Sequence, residues 1–116
     1  VGVIARKKSA QLIIDYVKSL NENNFPVFIT GDFNLNDDSD PIILIQKTFY
    51  DSNINLNKED KLYNTFTGFK NDVINPRRID YIFYSNIEMV SSTHVHLKIK
   101  GKRWASDHHP VVAIFN

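Results

Sequence analysis

Val27-Phe28-Ile29-Thr30 sits between two helical patterns, and that placement constrains the fold more than any other feature of the chain. The run is too short for a helix. Pro26 and Gly31 bound it, so it reads as a buried strand. Ahead of it, residues 5–23 carry Ile13, Val17 and Leu20 at three- and four-residue steps, flanked by Ala10 and Tyr16. Lys7, Lys8, Gln11, Asp15, Lys18 and Glu22 fall mostly on the other side, which predicts an amphipathic helix. The Asn-rich segment 21–24 and Pro26 stop it. Behind the strand, residues 31–38 read as a loop. A second helix then starts with Ser39 or Asp40 as N-cap and Pro41 at its first position. Its inner face would be Ile42, Ile45 and Phe49.

The remainder is strand-rich. Residues 51–62 are polar and Asn-rich, and predict a loop with at most one helical turn. Residues 63–69 alternate weakly, as a strand entering a turn at Gly68, and residues 70–77 form a second loop. Residues 79–84, 87–100 and 111–115 predict three further strands, with residues 101–110 as the intervening loop. Helix, strand, helix and then several strands define an α/β fold: a layered mixed β-sheet with helices on one face. The opposite face also needs cover, and no later element remains to supply it. The chain opens Val1-Gly2-Val3 without Met, which reads either as a chain cut from a larger domain or as a domain trimmed of a tag or leader.

Composition narrows the function classes. Fourteen basic and thirteen acidic residues leave a net charge of +1, which gives no global attraction to a polyanion. The absence of cysteine excludes disulfides, zinc–cysteine sites and thiol nucleophiles. The 116 residues hold no apolar run long enough to suggest a transmembrane helix.

Chemistry concentrates at the ends of the apolar runs. If the strand continues through Gly31, Asp32 and Asn34 point the same way, one carboxylate and one amide together. Gly31 would let a substrate or another backbone come close. An Asx turn capping the strand accounts for the same pair. Asp80 lies within Ile79-Asp80-Tyr81-Ile82-Phe83, where a carboxylate is costly unless partnered. It serves either a salt bridge to Arg77 or Arg78, or a histidine such as His108, whose tautomer it would hold. Asp107 and His108 are loop neighbours that can diverge, one toward a metal and one toward a substrate. His109, before Pro110, reads as structural or exposed. His94 and His96, at strand spacing, read as strand residues or as a surface metal pair. Lys98, Lys100, Lys102 and Arg103 surround Trp104, and Arg77 and Arg78 lie beside Asp80. Both groups suit a phosphate backbone and a stacked base, or else a solvated strand edge protected by lysines.

Gly31-Asp32-Phe33-Asn34, Arg78-Ile79-Asp80-Tyr81-Ile82-Phe83 and Ser106-Asp107-His108-His109-Pro110-Val111, in this order, resemble the C-terminal motifs of the endonuclease/exonuclease/phosphatase superfamily. Tyr63-Asn64-Thr65-Phe66-Thr67-Gly68-Phe69 is similar to the substrate-side loop of many members. The resemblance implies one half of a four-layer α/β sandwich and a divalent-metal-dependent phosphoesterase using Mg2+ or Mn2+. It implies that Asp32 orients or deprotonates the attacking water and that Asn34 contacts the scissile phosphate or that water. Asp107 would help bind the metal. His108 would stabilise the phosphorane-like transition state or protonate the leaving group, and Asp80 would hold His108. Phe66, Arg78 and Trp104 would contact the substrate, a phosphate ester such as a nucleic acid or a small phosphodiester. The family's N-terminal half carries an Asn, a metal-binding Glu and a His-x-His-like strand, and Glu22, Glu59 and Glu88 match none of these. Residues 1–116 are therefore expected to be the C-terminal part of such a domain. It would be inactive or weakly active until the missing N-terminal half or a second subunit completes it. A non-catalytic binding or structural module on the same fold is the alternative.

Overall fold

A computed structural model describes residues 2–116. Helix α1 (Gly2–Leu20) buries Ala10 and Ile14, with Val17 packed beside them. Tyr16 and Leu20, expected near the inner face, are 63% and 68% exposed. The buried stripe runs through Ala10, Ile14 and Val17, and this rotates both residues outward. Strand β1 (Val27–Asp32) follows, then α2 (Asp40–Gln46). Ser39 occupies the N-cap position with an extended backbone. Its hydroxyl bonds back to the Asn36 carbonyl at 2.7 Å, and Pro41 pre-sets the first turn. Ile42 and Ile45 of α2, together with Phe49, are buried as the pattern predicted.

The first sheet has the order β1-β3-β2, with β2 at Tyr50–Asp51 and β3 at Asp80–Ser85. Its alternation decides its two faces. Tyr81 and Phe83 point into a core with Ile14, Ile42, Ile45 and Phe49 from the helical side. Phe33 sets its ring edge-on against both Tyr81 and Phe83, each at 5.5 Å. Asp80, Ile82 and Tyr84 take the opposite face. The β1–β3 register runs from Val27↔Ser85 to Asp32↔Asp80, so two carboxylates meet at one end of the sheet.

The segment expected as one strand over 87–100 is two. Strand β4 (Met89–His94) pairs with β7 (Val111–Phe115), and β5 (Lys98–Ile99) pairs with β6 (Arg103–Trp104). The break follows His94, where the Val95 amide donates to the Pro110 carbonyl at 2.9 Å. Lys102 (φ 60°) and Gly101 (φ 92°) turn the small hairpin. Every ladder among the described residues is antiparallel. The β4–β7 pair also supplies cover that the sequence left wanting. The Phe115 ring lies 4.8 Å from Phe28 and 5.0 Å from Tyr84, both on the face away from the helices. Val90, Val112 and Ile114 stay exposed on the outer side of that pair. No helix of the described residues is long and apolar enough to cross a membrane.

Arg78 is a core residue. It is 1% exposed, its guanidinium pairs with the buried Asp51 and lies 3.7 Å from Asp37, and it sits 4.8 Å from the Tyr81 ring. The expectation that it contacts substrate is corrected by this burial. An Arg beside a strand carboxylate is equally a core ion pair when another acid, here Asp51 of the neighbouring strand β2, is buried within reach. Asp51 further accepts from Gln46 Nε2 at 3.0 Å and from the Asn53 amide at 3.0 Å. Replacing one partner of such a pair strands the other charge in a dry site. Arg78→Met is expected to cost about 3–5 kcal/mol in urea unfolding, and the double change Arg78→Met with Asp51→Asn to recover a large part of it.

Candidate functional site

The site forms where the β1–β3 end meets the loop before β7. Strand β1 ends at Asp32 rather than running on. The Asp32 Oδ1 accepts the Asn34 backbone N–H at 2.8 Å, and Asn34 adopts φ 53°. This is the Asx turn, so Asp32 and Asn34 are placed by a turn and not by strand periodicity. Gly31 is explained by its own backbone: φ is 154° and the space where a Cβ would stand is open among the described residues.

Across the ladder, Asp80 faces His108. The His108 Nδ1 lies 2.9 Å and 3.1 Å from the two oxygens of Asp80. His108 Nε2 is left pointing toward Asp32, whose Oδ2 is 3.9 Å away. The hydrogen bond to Asp80 raises the His108 pKa above its ordinary value. Partial burial opposes this, and the charges of Asp80, Asp32 and Asp107 add to it. Of the partners weighed for Asp80, the histidine is the one it meets.

Thr65, which sequence reasoning passed over, holds this geometry. It is fully buried. Its Oγ1 accepts the amides of Ile79 (2.9 Å) and Asp80 (3.2 Å), its own amide donates to the Arg77 carbonyl (2.8 Å), and its carbonyl accepts from the His109 amide (2.8 Å). One residue thus ties the start of β3 to the His108 loop. Phe66 forms an isolated bridge with His108, and the rings lie 5.0 Å apart. The Thr67 amide donates to the Asp107 carbonyl at 2.8 Å. The weak alternation of residues 63–69 and their resemblance to a substrate-side loop were the sequence signals of this strap.

Asp107 is anchored by its backbone, and its carboxylate is not among the converging donors. Trp104 stands further off. Its Nε1–H donates to the Lys70 carbonyl at 2.9 Å, Lys98 Nζ lies 4.8 Å over its ring, and it meets the His109 ring edge-on at 4.6 Å. It shares with His108 the wall of a 410 Å³ hollow. His109 is buried and stacked on His96 at 3.8 Å, and desolvation lowers its pKa to about 4. His94 and His96 do not form a surface pair. His94 Nδ1 contacts the Leu62 carbonyl at 2.6 Å in the interior, and His96 Nε2 contacts the Asn64 carbonyl at 2.7 Å.

Asp32, Asp80 and His108 each bring one ligating atom within 4.8 Å of the others. Asp80 is engaged with His108 Nδ1, which leaves Asp32 Oδ2 as the open carboxylate oxygen, with the charge of Asp107 nearby. The donors suit a hard divalent cation in kind. They fall short of its usual six oxygens, so the rest of its shell would be water, substrate oxygens or groups outside this chain.

Comparison with known proteins assigns the chain to a family. The profile described as the Endonuclease/Exonuclease/phosphatase family matches residues 3–108. The chain belongs to that family, whose members include nucleases and phosphatases. A mannosyl-6-phosphatase from Bacteroides thetaiotaomicron VPI-5482 is similar at 26% identity and TM-score 0.80, over 97% of this chain and 46% of that one. An endonuclease/exonuclease/phosphatase family protein from Bacteroides thetaiotaomicron is similar at 28% identity and TM-score 0.79, over 97% and 44%. A functionally unknown conserved protein from Enterococcus faecalis V583 shares the fold at 24% identity and TM-score 0.79, over 98% and 45%. The chain thus spans about half the length of the solved structures it matches. No curated protein matches it significantly.

Because the folded state holds the His108 proton more tightly, the Asp80–His108 pair stabilises the fold below the ordinary imidazole value of 6.5. That contribution is lost as pH rises through the raised folded value. Asp80→Asn is expected to lower the His108 pKa and to flatten this acid-side stabilisation, as read by NMR titration of the ring and by unfolding between pH 5 and pH 8 (about the imidazole range).

Proposed function

We propose that this chain carries the water-activating and leaving-group side of a divalent-metal-dependent phosphoesterase, acting on a phosphate ester by in-line attack of water. The observation that carries it is the line Asp80, His108, Asp32: an imidazole held at Nδ1 by one carboxylate, with Nε2 free on the side of a second, half-exposed carboxylate. Asp32 accepts a proton from the attacking water, whose oxygen forms the new P–O bond. The protonated His108, favoured by its raised pKa, donates from Nε2 to the departing ester oxygen or to a non-bridging oxygen as charge builds there. Asp80 keeps the ring in the tautomer and orientation that this needs. Asn34 holds the phosphoryl oxygens or the water. Asp107, together with groups outside this chain, would help hold Mg2+ or Mn2+, which would neutralise phosphoryl charge and lower the pKa of bound water.

Family membership and the similarity to a mannosyl-6-phosphatase support phosphate-ester chemistry, with a phosphomonoester, a small phosphodiester and a nucleic acid as candidate substrates. The chain's share of its structural relatives, 44–46%, supports a site completed by residues outside these 116. The metal Glu expected of the family would be one of them, supplied by an N-terminal half or a second subunit.

Hydrolysis of p-nitrophenyl phosphate and bis(p-nitrophenyl) phosphate with Mg2+ or Mn2+ tests both parts. The isolated 116-residue chain is expected to show little turnover, and fast turnover by its purified monomer would refute the need for completion. In the active protein, His108→Ala is expected to lower kcat by about 10²–10⁴-fold with folding unchanged. Unaltered turnover would remove His108 from the mechanism.

A further inference from the structure

Arg77 differs from its buried neighbour in every respect that matters to a ligand. Its backbone is pinned on both sides: its amide donates to Asn64 Oδ1 at 2.7 Å, and its carbonyl accepts the Thr65 amide at 2.8 Å. Its side chain therefore leaves a fixed point and reaches the site. Nη2 donates to Asn34 Oδ1 at 3.0 Å, and the guanidinium carbon lies 5.7 Å from the Phe66 ring centroid. Phe66 is the residue whose ring meets His108. Among the described residues no carboxylate lies within ion-pair distance of Arg77, whereas Arg78 has two. A partly exposed guanidinium held by a ring and a neutral amide, beside carboxylates but paired to none, has its counter-charge still to come.

The contact with Asn34 also orients that amide. Guanidinium is a donor only, so the Asn34 atom facing it must be the carbonyl oxygen, and the amide NH₂ is turned away as a free donor. Two sets of N–H donors, the unused ones of Arg77 and those of Asn34, are thereby placed at one edge of the Asp32–His108 gap. A planar fork with fixed spacing matches the non-bridging oxygens of a phosphoryl group.

We propose that Arg77, rather than the Arg78 expected from the sequence, is the phosphate-binding cation of this site. It holds the non-bridging oxygens together with the Asn34 amide and selects for anionic substrates. This rests on the phosphoesterase function above. Phe66 and Asn34 position the guanidinium, and no covalent step passes through it.

The probe is inorganic phosphate, titrated into the intact protein while the His108 ring and Asn34 side-chain amide resonances are followed by NMR. Phosphate is expected to shift both. Arg77→Gln, which keeps a donor toward Asn34 and removes the charge, is expected to weaken phosphate binding about tenfold or more. Arg77→Lys, which keeps the charge and loses the fork, is expected to fall between. The His108 pKa in the absence of phosphate serves as the control for folding, since Asp80 sets it. Phosphate that shifts His108 with the same affinity in wild type and in both variants overturns the role of Arg77 alone. Phosphate that leaves His108 unmoved in the wild type overturns the phosphoesterase function itself.

Discussion

The Thr65 hydroxyl and backbone hold together three stretches far apart in sequence: the strap at 63–67, the entry to β3, and the loop carrying His108. Each bond is ordinary. Their burial gives them weight, because an unmet amide in a dry site costs more than a met one returns. They add backbone anchors to the side-chain bond by which Asp80 of the first sheet holds His108 of the last loop. The strap therefore converts strand geometry, which places Asp32 opposite Asp80, into a side-chain array that includes His108.

Two adjacent arginines follow opposite fates for the same reason. The irregular backbone just ahead of β3 does not follow the strand's alternation: it turns Arg78 inward toward Asp51 and Arg77 outward toward Asn34. The inward one is an interior ion pair whose value lies in what its removal would strand. The outward one keeps its charge available. The bonds from Asn64 and Thr65 to Arg77's backbone are what hold the cation at the site.

The second face of the first sheet is covered in part by β4 and β7, through Phe115 against Phe28 and Tyr84. The layering is thus two sheets facing each other with helices outside one of them. Phe28 remains 48% exposed, and Val90, Val112 and Ile114 stand exposed on the outer side of the second pair. This matches a chain that spans about half of its solved relatives.

Local pattern was enough to read the α/β class, the two helices, the strands at β1, β3 and β7, and the chemistry at their ends, because each rests on short-range periodicity or on a polar residue that an apolar run must explain. Ile42, Ile45 and Phe49 were legible on that basis, as was Asp80's need for a partner. Which partner it took was not, since Arg77, Arg78 and His108 all satisfy a carboxylate. The split of residues 87–100 was invisible because alternation continues across the break, and the ladder ends where Val95 meets Pro110, which accepts the Val95 N–H but has none to return. Thr65 gave no signal, since a threonine's hydrogen bonds depend on what the fold brings to it. Sequence alone determined which carboxylates, amides, arginines and histidines stand at the ends of the apolar runs. Tertiary structure decided which of them meet, because a hydrogen bond is short and directional while the residues that converge here are scattered along the chain from Asp32 to His108.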